Sequence, residues 1–325
     1  MSRKFLLPFL PVLAILLGAC GPGTRPTPET TPAVTAVPRI ESNFTPGAIV
    51  LIDGLGRTVS LTAPARRIVS LAPSNTEILF AIGAGLQVIG RDHFSDYPEE
   101  TRNIADIGTT TDKLNTELIL SLKPDLVLAA GINPPEQVKA LEDLGLTVFL
   151  LANPTDLDGM YSNLRTAAEL TGHTDATNKL IASLQARVQA VQSKVENVRD
   201  RPLVFYELDG GNTNSPWTSG SGTFVDCLIT MAGGRDVGSI LQSDWAQISL
   251  EELIRQNPDL IVLGDATLGG VTAAMVKQRP GWEGIAAVKN DRIFPFDDNL
   301  VSRPGPRLVD GLEALAKLLH PDLFR

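Results

Sequence analysis

The sequence predicts an α/β protein of two similar lobes with a long helical segment between them. Short runs rich in β-branched and aliphatic residues alternate with helical patterns, which favours parallel sheets covered by helices. One segment, Asn115 to Leu128, recurs 134 residues later as Ser249 to Val262. A long period with only two copies indicates two related lobes, and a ligand pocket is expected between them.

The first lobe is predicted over residues 67–156, after a lead-in hairpin at 43–66. Apolar runs predict its strands, and stretches with apolar residues at helical spacing predict its helices. The strands fall at 67–71, 88–90, 125–129 and 146–150, and the helices at 75–82 and 135–144.

Residues 157–199 follow a helical pattern and are predicted to link the lobes. Gly172 is a candidate for a break within this segment, because glycine is common where a helix ends. Alternation resumes at Leu203, so the second lobe is predicted over residues 200–325.

Residues 1–19 have the features of a bacterial export signal. Two basic residues precede 13 mostly apolar residues, Phe5 to Leu17, and this run is short for a membrane span. The sequence Leu-Gly-Ala-Cys then ends at Cys20 and resembles a lipobox, in which cleavage precedes the cysteine and its sulfur is lipidated. An ordinary signal peptide with a chance cysteine is the alternative. Residues 20–42 are rich in Pro and Thr and predict a disordered tether, so we expect an exported protein anchored to the membrane.

The net charge and the number of cysteines limit the expected partners and disulfide bonds. The net charge of −9 becomes −11 once Arg3 and Lys4 are removed with the leader, which argues against nucleic acid as a partner. Cys227 is the only cysteine after Cys20, so an intrachain disulfide is not expected in the mature chain. The apolar residues around Cys227 predict a buried, inert thiol.

The sequence contains no specific catalytic motif. His93, His173 and His320 are widely separated, and no zinc-protease, paired-cysteine or nucleophile-elbow motif occurs. We therefore predict no catalytic residue, no metal site with a local signature, and a protein that is not an enzyme and needs no cofactor.

The repeated segment carries a pair of glutamates that allow two interpretations. Glu117 and Glu251 each occupy the second position of a predicted helix, after the N-cap candidates Asn115 and Ser249. Compensation of the helix dipole is one explanation, and Glu252 is expected to complete a capping box with Ser249. Alternatively, two symmetric carboxylates could bind arginines of a partner. The residues alone leave both open.

Several short motifs occur in a fixed order along the lobes. They are RIVSLAPSNTEILFAIGAG from Arg67, SDYP from Ser95, KPDLV from Lys123, PWTSG from Pro216, AGG from Ala232 and RPGPRL from Arg303. In this order they resemble the substrate-binding proteins of vitamin B12 and iron-siderophore ABC importers, over about residues 66–325.

This resemblance implies two Rossmann-like lobes with central sheets, joined by one long rigid helix, with a ligand cleft between them. It also implies delivery of the ligand to a membrane permease powered by a separate ATPase. In the family, one glutamate on each lobe pairs with permease arginines, and those positions match Glu117 and Glu251. The lipid on Cys20 would then keep the binding protein close to its transporter.

The SDYP motif is most similar to cobalamin-binding members, so cobalamin or a related corrinoid is the expected ligand, with a ferric siderophore or haem as the alternative. In those members aromatic residues from both lobes flank the flat corrin. Phe94 and Trp245 fall at such positions and Trp217 is a third candidate, although core packing would also explain each. In the family the loop that matches Arg303 contributes to the cleft, so the resemblance makes Arg303 a candidate to bind an anionic group; the alternative is a surface arginine.

Two features set this chain apart from a dedicated cobalamin binder. Residues 108–112 and Gly131 carry no aromatic side chain where one is often found. His93 is a candidate ligand for iron or cobalt, but a polar loop histidine is the favoured interpretation. A cell-surface enzyme and a ligand sensor on the same fold are the alternatives from other classes.

Overall fold

Two parallel sheets, one in each half of the chain, form the frame of the computed structural model, which describes residues 47–109 and 114–325. The predicted export signal at 1–19, Cys20 and the tether at 20–42 lie outside the described residues. Among the described residues, no helix is both long and apolar enough to cross a membrane.

The first lobe begins with an antiparallel hairpin of β1 (Ile49–Ile52) and β2 (Thr58–Leu61), which leads into a parallel sheet. The sheet strands are β3 (Ile68–Ser70), β4 (Val88–Arg91), β5 (Ala105–Asp106), β6 (Leu126–Ala130) and β7 (Val148–Leu151), in the order β5-β4-β3-β6-β7. The helices are α1 (Pro73–Ala81), α2 (Thr116–Leu122) and α3 (Pro135–Asp143). Every residue of β6 and β7 is buried, as expected for parallel strands covered on both faces.

The predicted linking segment, residues 157–199, contains two helices rather than one. They are α4 (Leu157–Thr171) and α5 (Thr174–Val195). Gly172 ends α4 with φ 80°, a left-handed conformation that strains any residue with a Cβ. The 22 residues of α5 alone therefore provide the long link, which contacts α4 on one side and the second lobe on the other.

The second lobe repeats the same design with a shorter sheet. Its strands are β8 (Leu203–Glu207), β9 (Trp217–Ser219), β10 (Arg235–Asp236), β11 (Trp245–Gln247), β12 (Leu260–Leu263) and β13 (Ile293–Pro295). Four form a parallel sheet in the order β10-β8-β12-β13, and β9 pairs with β11 as an antiparallel ribbon. The helices are α6 (Phe224–Met231), α7 (Leu250–Gln256), α8 (Ala273–Lys277), α9 (Ala286–Lys289) and α10 (Leu308–Leu319).

One hydrophobic core runs through both lobes. It continues from Leu79 in α1 through Leu164 in α4 and Leu184 in α5 to Leu228 in α6 and Leu312 in α10. Smaller cores lie on the far face of each sheet. The two lobes are thus packed on a shared layer of helices as well as connected by the chain.

Cys227 in α6 is half-buried, so the predicted burial of its thiol is only partial. Its Sγ lies 3.5 Å from Met231 Sδ, and burial raises the pKa of the thiol. A raised pKa lowers the thiolate fraction, which agrees with an inert cysteine.

The left-handed turn at Gly172 gives a direct stability test. Gly172→Ala should lower the free energy of unfolding by about 1–2 kcal/mol, because a Cβ is strained at φ 80° and would lie 3.3 Å from Pro64 Cβ. Urea denaturation measures the loss. Gly284→Ala is the matched control, since Gly284 has no positive φ and open space around its Cβ position. Equal stability of the two variants would contradict the assignment.

Candidate ligand cleft

The cleft lies just beyond the carboxyl ends of the first lobe's strands, where parallel α/β sheets commonly bind ligands. Asp92 and Phe94 follow β4, Gly131 follows β6, and Asn153 follows β7. The second lobe contributes loops that follow β12 and β13. The described residues that line this cavity are Pro73, Ser74, Asn75, Ile78, Asp92, Phe94, Ala130, Gly131, Ile132, Leu151, Ala152, Asn153, Pro154, Asn163, Leu268, Ser302, Arg303 and Pro304.

A second cavity continues the cleft toward the second lobe. It shares Ile132, Asn153, Ser302 and Pro304 with the first cavity. Its other lining residues are Leu208, Phe224, Val225, Trp245 and Val301. The two cavities therefore form one mainly apolar cleft with walls from both lobes.

Phe94 is an exposed aromatic on a rigid turn. Its side chain is 48% exposed and lines the first cavity. Its backbone N–H donates to Asp92 Oδ2 at 3.0 Å, and the Ser95 hydroxyl donates to the same carboxylate. Thr76 Oγ1 lies 2.8 Å from Ser95 Oγ and continues this hydroxyl chain beneath the turn. An exposed aromatic on a fixed backbone is well suited to contact a flat ligand with little loss of side-chain entropy.

Asp92 is the one acidic residue among the described residues that line the first cavity, and it is almost fully buried. Burial raises the pKa of Asp92 above its ordinary value, against the opposing hydrogen bonds from Ser95 and Phe94 and the positive charge of Arg303. Its main structural role is to hold the turn that carries Phe94.

Trp245 brings a second aromatic to the cleft from the opposite lobe. It begins β11, is half-buried, and packs edge-on against Phe224 with ring centroids 5.6 Å apart. Trp217 lies in the partner strand β9, is 39% exposed, and lines neither cavity. The structure therefore brings Phe94 and Trp245 together at the cleft and leaves Trp217 outside it.

Arg303 lines the first cavity, but its guanidinium group is already paired with two carboxylates of the first lobe. Its Nη1 lies 3.2 Å from Glu77 Oε1 and 2.6 Å from Asp96 Oδ1, both in the first lobe. Arg307 donates to both oxygens of Glu77, at 2.5 and 2.8 Å, and its guanidinium lies 4.1 Å from the centre of the Tyr97 ring. These five residues form an interlobe ion cluster.

The electrostatics of the interlobe ion cluster decide what Arg303 can do. Glu77 and Arg303 are both almost fully buried. Burial raises the pKa of Asp96, but the hydrogen bond and charge of Arg303 outweigh it and hold the pKa below its ordinary value. An anionic ligand group would have to displace a carboxylate from Arg303, so the arrangement favours a role in joining the lobes.

His93 pairs with an acidic side chain outside the cleft and does not line it. Its Nδ1 lies 2.8 Å from Asp106 Oδ2, and its side chain is largely exposed and lines neither cavity. Among the described residues that line the two cavities of the cleft, no histidine, cysteine, methionine or tyrosine occurs. The described residues also contain no group of three or more His, Cys, Asp or Glu side chains that could hold a metal ion.

Close packing around Gly131 explains why this position carries no aromatic side chain. A Cβ at this position would lie 2.9 Å from Asn153 Cβ and 3.1 Å from Asn153 N, so no side chain fits without a shift of that loop. Residues 110–112 of the other non-aromatic stretch lie outside the described residues.

Three asparagines of the cleft were not predicted from the sequence: Asn75, Asn153 and Asn163. Asn75 Nδ2 donates to Leu128 O at 3.1 Å, and Asn163 Nδ2 donates to Ala152 O at 2.9 Å. These bonds fix the strand ends that form the cleft floor. The position of Asn153, two residues after a buried parallel strand, is the signal that could have identified it.

The paired glutamates lie on equivalent short helices. Asn115 caps α2 through Oδ1, which accepts from Leu118 N at 2.9 Å, and Ser249 caps α7 through Oγ, which accepts from Glu252 N at 3.2 Å. Glu117 and Glu251 are exposed, and neither forms a hydrogen bond or ion pair within the described residues.

The expected capping box at Ser249 is only half formed. The Glu252 carboxylate accepts from Arg255 Nε at 2.8 Å and from Gln256 Nε2 at 2.9 Å, and no bond returns from it to the Ser249 backbone. A guanidinium one turn away competes better for the carboxylate than a single backbone N–H. Glu251 is still left free, as the sequence suggested.

The two α/β lobes and the cleft between them define a solute-binding protein, and comparison with known proteins agrees. Residues 68–300 match the periplasmic binding protein family, and the chain belongs to that family. It is 32% identical over 286 residues to the uncharacterized ABC transporter substrate-binding lipoprotein YvrC of Bacillus subtilis, covering 85% of this chain and 87% of YvrC.

Two further relatives are named for their ligands. A cobalamin-binding protein of Halobacterium salinarum is 28% identical over 274 residues, covering 82% of this chain and 73% of the relative. The periplasmic heme-binding protein RhuT of Roseiflexus sp. RS-1 superposes with a TM-score of 0.72 at 28% identity, covering 80% of this chain and 99% of RhuT. The resemblance inferred from the motifs and the two-lobed α/β fold are confirmed.

The interlobe ion cluster should contribute strongly to stability. Glu77→Gln removes the buried carboxylate between two guanidinium groups and should lower the free energy of unfolding by about 3–5 kcal/mol, because unpaired charge stays buried. Asp143→Asn is the control. It breaks the exposed pair with Lys139 and should cost less than about 1 kcal/mol. Urea denaturation of both variants measures the difference, and similar small losses would show that the cluster is not stabilising.

Proposed function

We propose that this protein is a lipid-anchored, extracytoplasmic solute-binding protein that captures cobalamin or a related corrinoid and delivers it to the permease of an ABC importer. The observation that carries the proposal is the cleft itself, where Phe94 from one lobe and Trp245 from the other flank a mainly apolar space. Two aromatic walls suit a large, flat macrocycle.

The composition of the cleft favours a corrinoid over haem. Haem iron in proteins is usually held by an axial His, Met, Cys or Tyr side chain, and none of these lines the described cleft. A corrinoid such as cyanocobalamin carries its own axial ligands, so it needs only shape, aromatic contact and hydrogen bonds. The cobalamin-binding relative of H. salinarum agrees with this choice.

A ferric siderophore or haem is the second candidate. The similarity to the heme-binding protein RhuT supports it at the level of the fold and sequence. Asn75, Asn153 and Asn163 could also donate hydrogen bonds to a carboxylate or hydroxamate rim.

Delivery rests on the anchor and the two exposed glutamates. Cys20 would hold the protein at the membrane through its lipid, and residues 20–42 would keep it within reach of the permease at high local concentration. The lipoprotein name of the B. subtilis relative supports this anchor. Glu117 and Glu251, one on each lobe and both without a partner among the described residues, would pair with arginines of the permease.

Ligand identity is tested by calorimetry of the purified protein with cyanocobalamin, a ferric hydroxamate, a ferric catecholate and haem. Cyanocobalamin alone should bind. Phe94→Ala and Trp245→Ala should each weaken its affinity about tenfold or more, as expected for a central aromatic contact. Trp217→Ala is the matched control and should change affinity less than about twofold, because Trp217 lines neither cavity. Binding of haem or a ferric chelate instead would replace the first candidate by the second.

Docking is tested by reversing the two exposed charges. Glu117→Lys with Glu251→Lys should abolish cyanocobalamin uptake by cells that depend on this protein, while calorimetry shows unchanged ligand affinity. The control pair is Glu136→Lys with Glu283→Lys, which has the same charge change, one exposed residue per lobe, and the same first-turn position. Full uptake with the first pair would reject delivery by these residues and favour a ligand sensor.

A further inference from the structure

The two repeated segments around Glu117 and Glu251 also have the same pattern of buried and exposed residues. Residues 114–123 and 248–257 have the same class of burial at each of their ten positions. Ile119 and Leu253 are the fully buried members of the two helices. The chain therefore presents the same side of the same short helix twice, once on each lobe.

The two helices are also held at their ends in the same way. Lys123 ends α2 with φ 48°, and Asn257 ends α7 with φ 52°, so both carry a left-handed residue other than glycine. A Pro-Asp pair follows each. Asp125 accepts the backbone N–H of Arg67 at 3.0 Å, and Asp259 accepts that of Leu203 at 2.8 Å. These matching anchors make the exposed faces comparable.

Each exposed face carries an aliphatic side chain next to its glutamate. Leu120 lies three residues after Glu117, and Ile254 lies three residues after Glu251, so each pair shares one helix face. Leu120 is 39% exposed and Ile254 is 41% exposed, and neither belongs to the cores beneath the helices.

A single exposed aliphatic residue is common on protein surfaces and carries no information. Here the same kind of residue recurs at the same position of a repeated helix, beside a carboxylate that has no partner within the described residues. Repetition of the whole pair is what points to a shared function.

We infer that Leu120 and Ile254 are contact residues for the permease, each completing a two-part docking patch with Glu117 or Glu251. This inference rests on the proposed delivery function. The partner surface should present a guanidinium beside an apolar pocket, and should present it twice, as two identical subunits related by a two-fold axis would. The two patches differ in the next residue, Ser121 in α2 and Arg255 in α7, but Arg255 is bound to Glu252.

The two parts of each patch have separate physical roles. An exposed ion pair contributes little in water, and its main effect is to steer and orient the partners. An aliphatic side chain that packs beside the pair excludes water from it and strengthens the attraction. Docking should therefore depend on both parts.

The test places the photo-crosslinker p-benzoylphenylalanine at position 120 or 254 of the full-length protein in its native host. Both positions should crosslink to the same multi-span membrane protein, identified by mass spectrometry. Leu144 and Leu323, one in each lobe and similarly exposed, are the control positions and should not crosslink to it. The double variant Leu120→Ser and Ile254→Ser should reduce crosslinking from position 121 about tenfold, whereas Leu144→Ser with Leu323→Ser should leave it unchanged.

Crosslinkers at positions 117 and 251 separate the possible failures. Crosslinks from 117 and 251 to the permease, with none from 120 and 254 and no effect of the serine variants, would overturn the role of Leu120 and Ile254 and leave delivery intact. Absence of crosslinks from all four positions would overturn both the inference and the docking part of the proposed function.

Discussion

The carboxylate of Glu77, held between the guanidinium groups of Arg303 and Arg307, is the interaction on which the geometry of the cleft depends. It joins the first helix of one lobe to the last loop and helix of the other. Because Glu77 and Arg303 are almost fully buried and the side chain of Arg307 is only 14% exposed, each charge needs the others to offset its desolvation. The segment that carries Arg303 also supplies Ser302 and Pro304 to both cavities, so the same contact that joins the lobes shapes the ligand space.

The residues that line the cleft and the two exposed glutamates lie on different secondary-structure elements. Loops after strands of the first lobe hold Phe94 and Asn153, helices α1 and α4 hold Asn75 and Asn163, and the β9-β11 ribbon holds Trp245. The glutamates lie on separate short helices with capped starts and left-handed ends. Trp245 and Glu251 are only six residues apart in the chain, so in the second lobe the aromatic wall and the exposed carboxylate belong to neighbouring elements.

Local sequence patterns were sufficient to predict the fold and some of the residues that line the cleft. The period of the apolar residues and the 134-residue repeat predicted both lobes, and the motifs identified the family. The patterns could not show that Arg303 is paired with Glu77, because these residues are 226 positions apart. Nor could they separate Trp245 from Trp217, because both lie in polar stretches of the sequence. Only the cavity linings of the structure show that Trp245 lines the cleft and Trp217 does not.

The apolar core that runs from α1 through α4 and α5 to α10 has a consequence for cooperativity. The described residues, 47–109 and 114–325, belong to one compact unit, and neither lobe has a complete core of its own on the side that faces the shared helices. A wide separation of the lobes would expose that layer to water at a cost of about 25 cal/mol for each Å² of apolar surface. The lobes are therefore parts of one cooperative folding unit, and a chain cut between them would leave two fragments with half a core each.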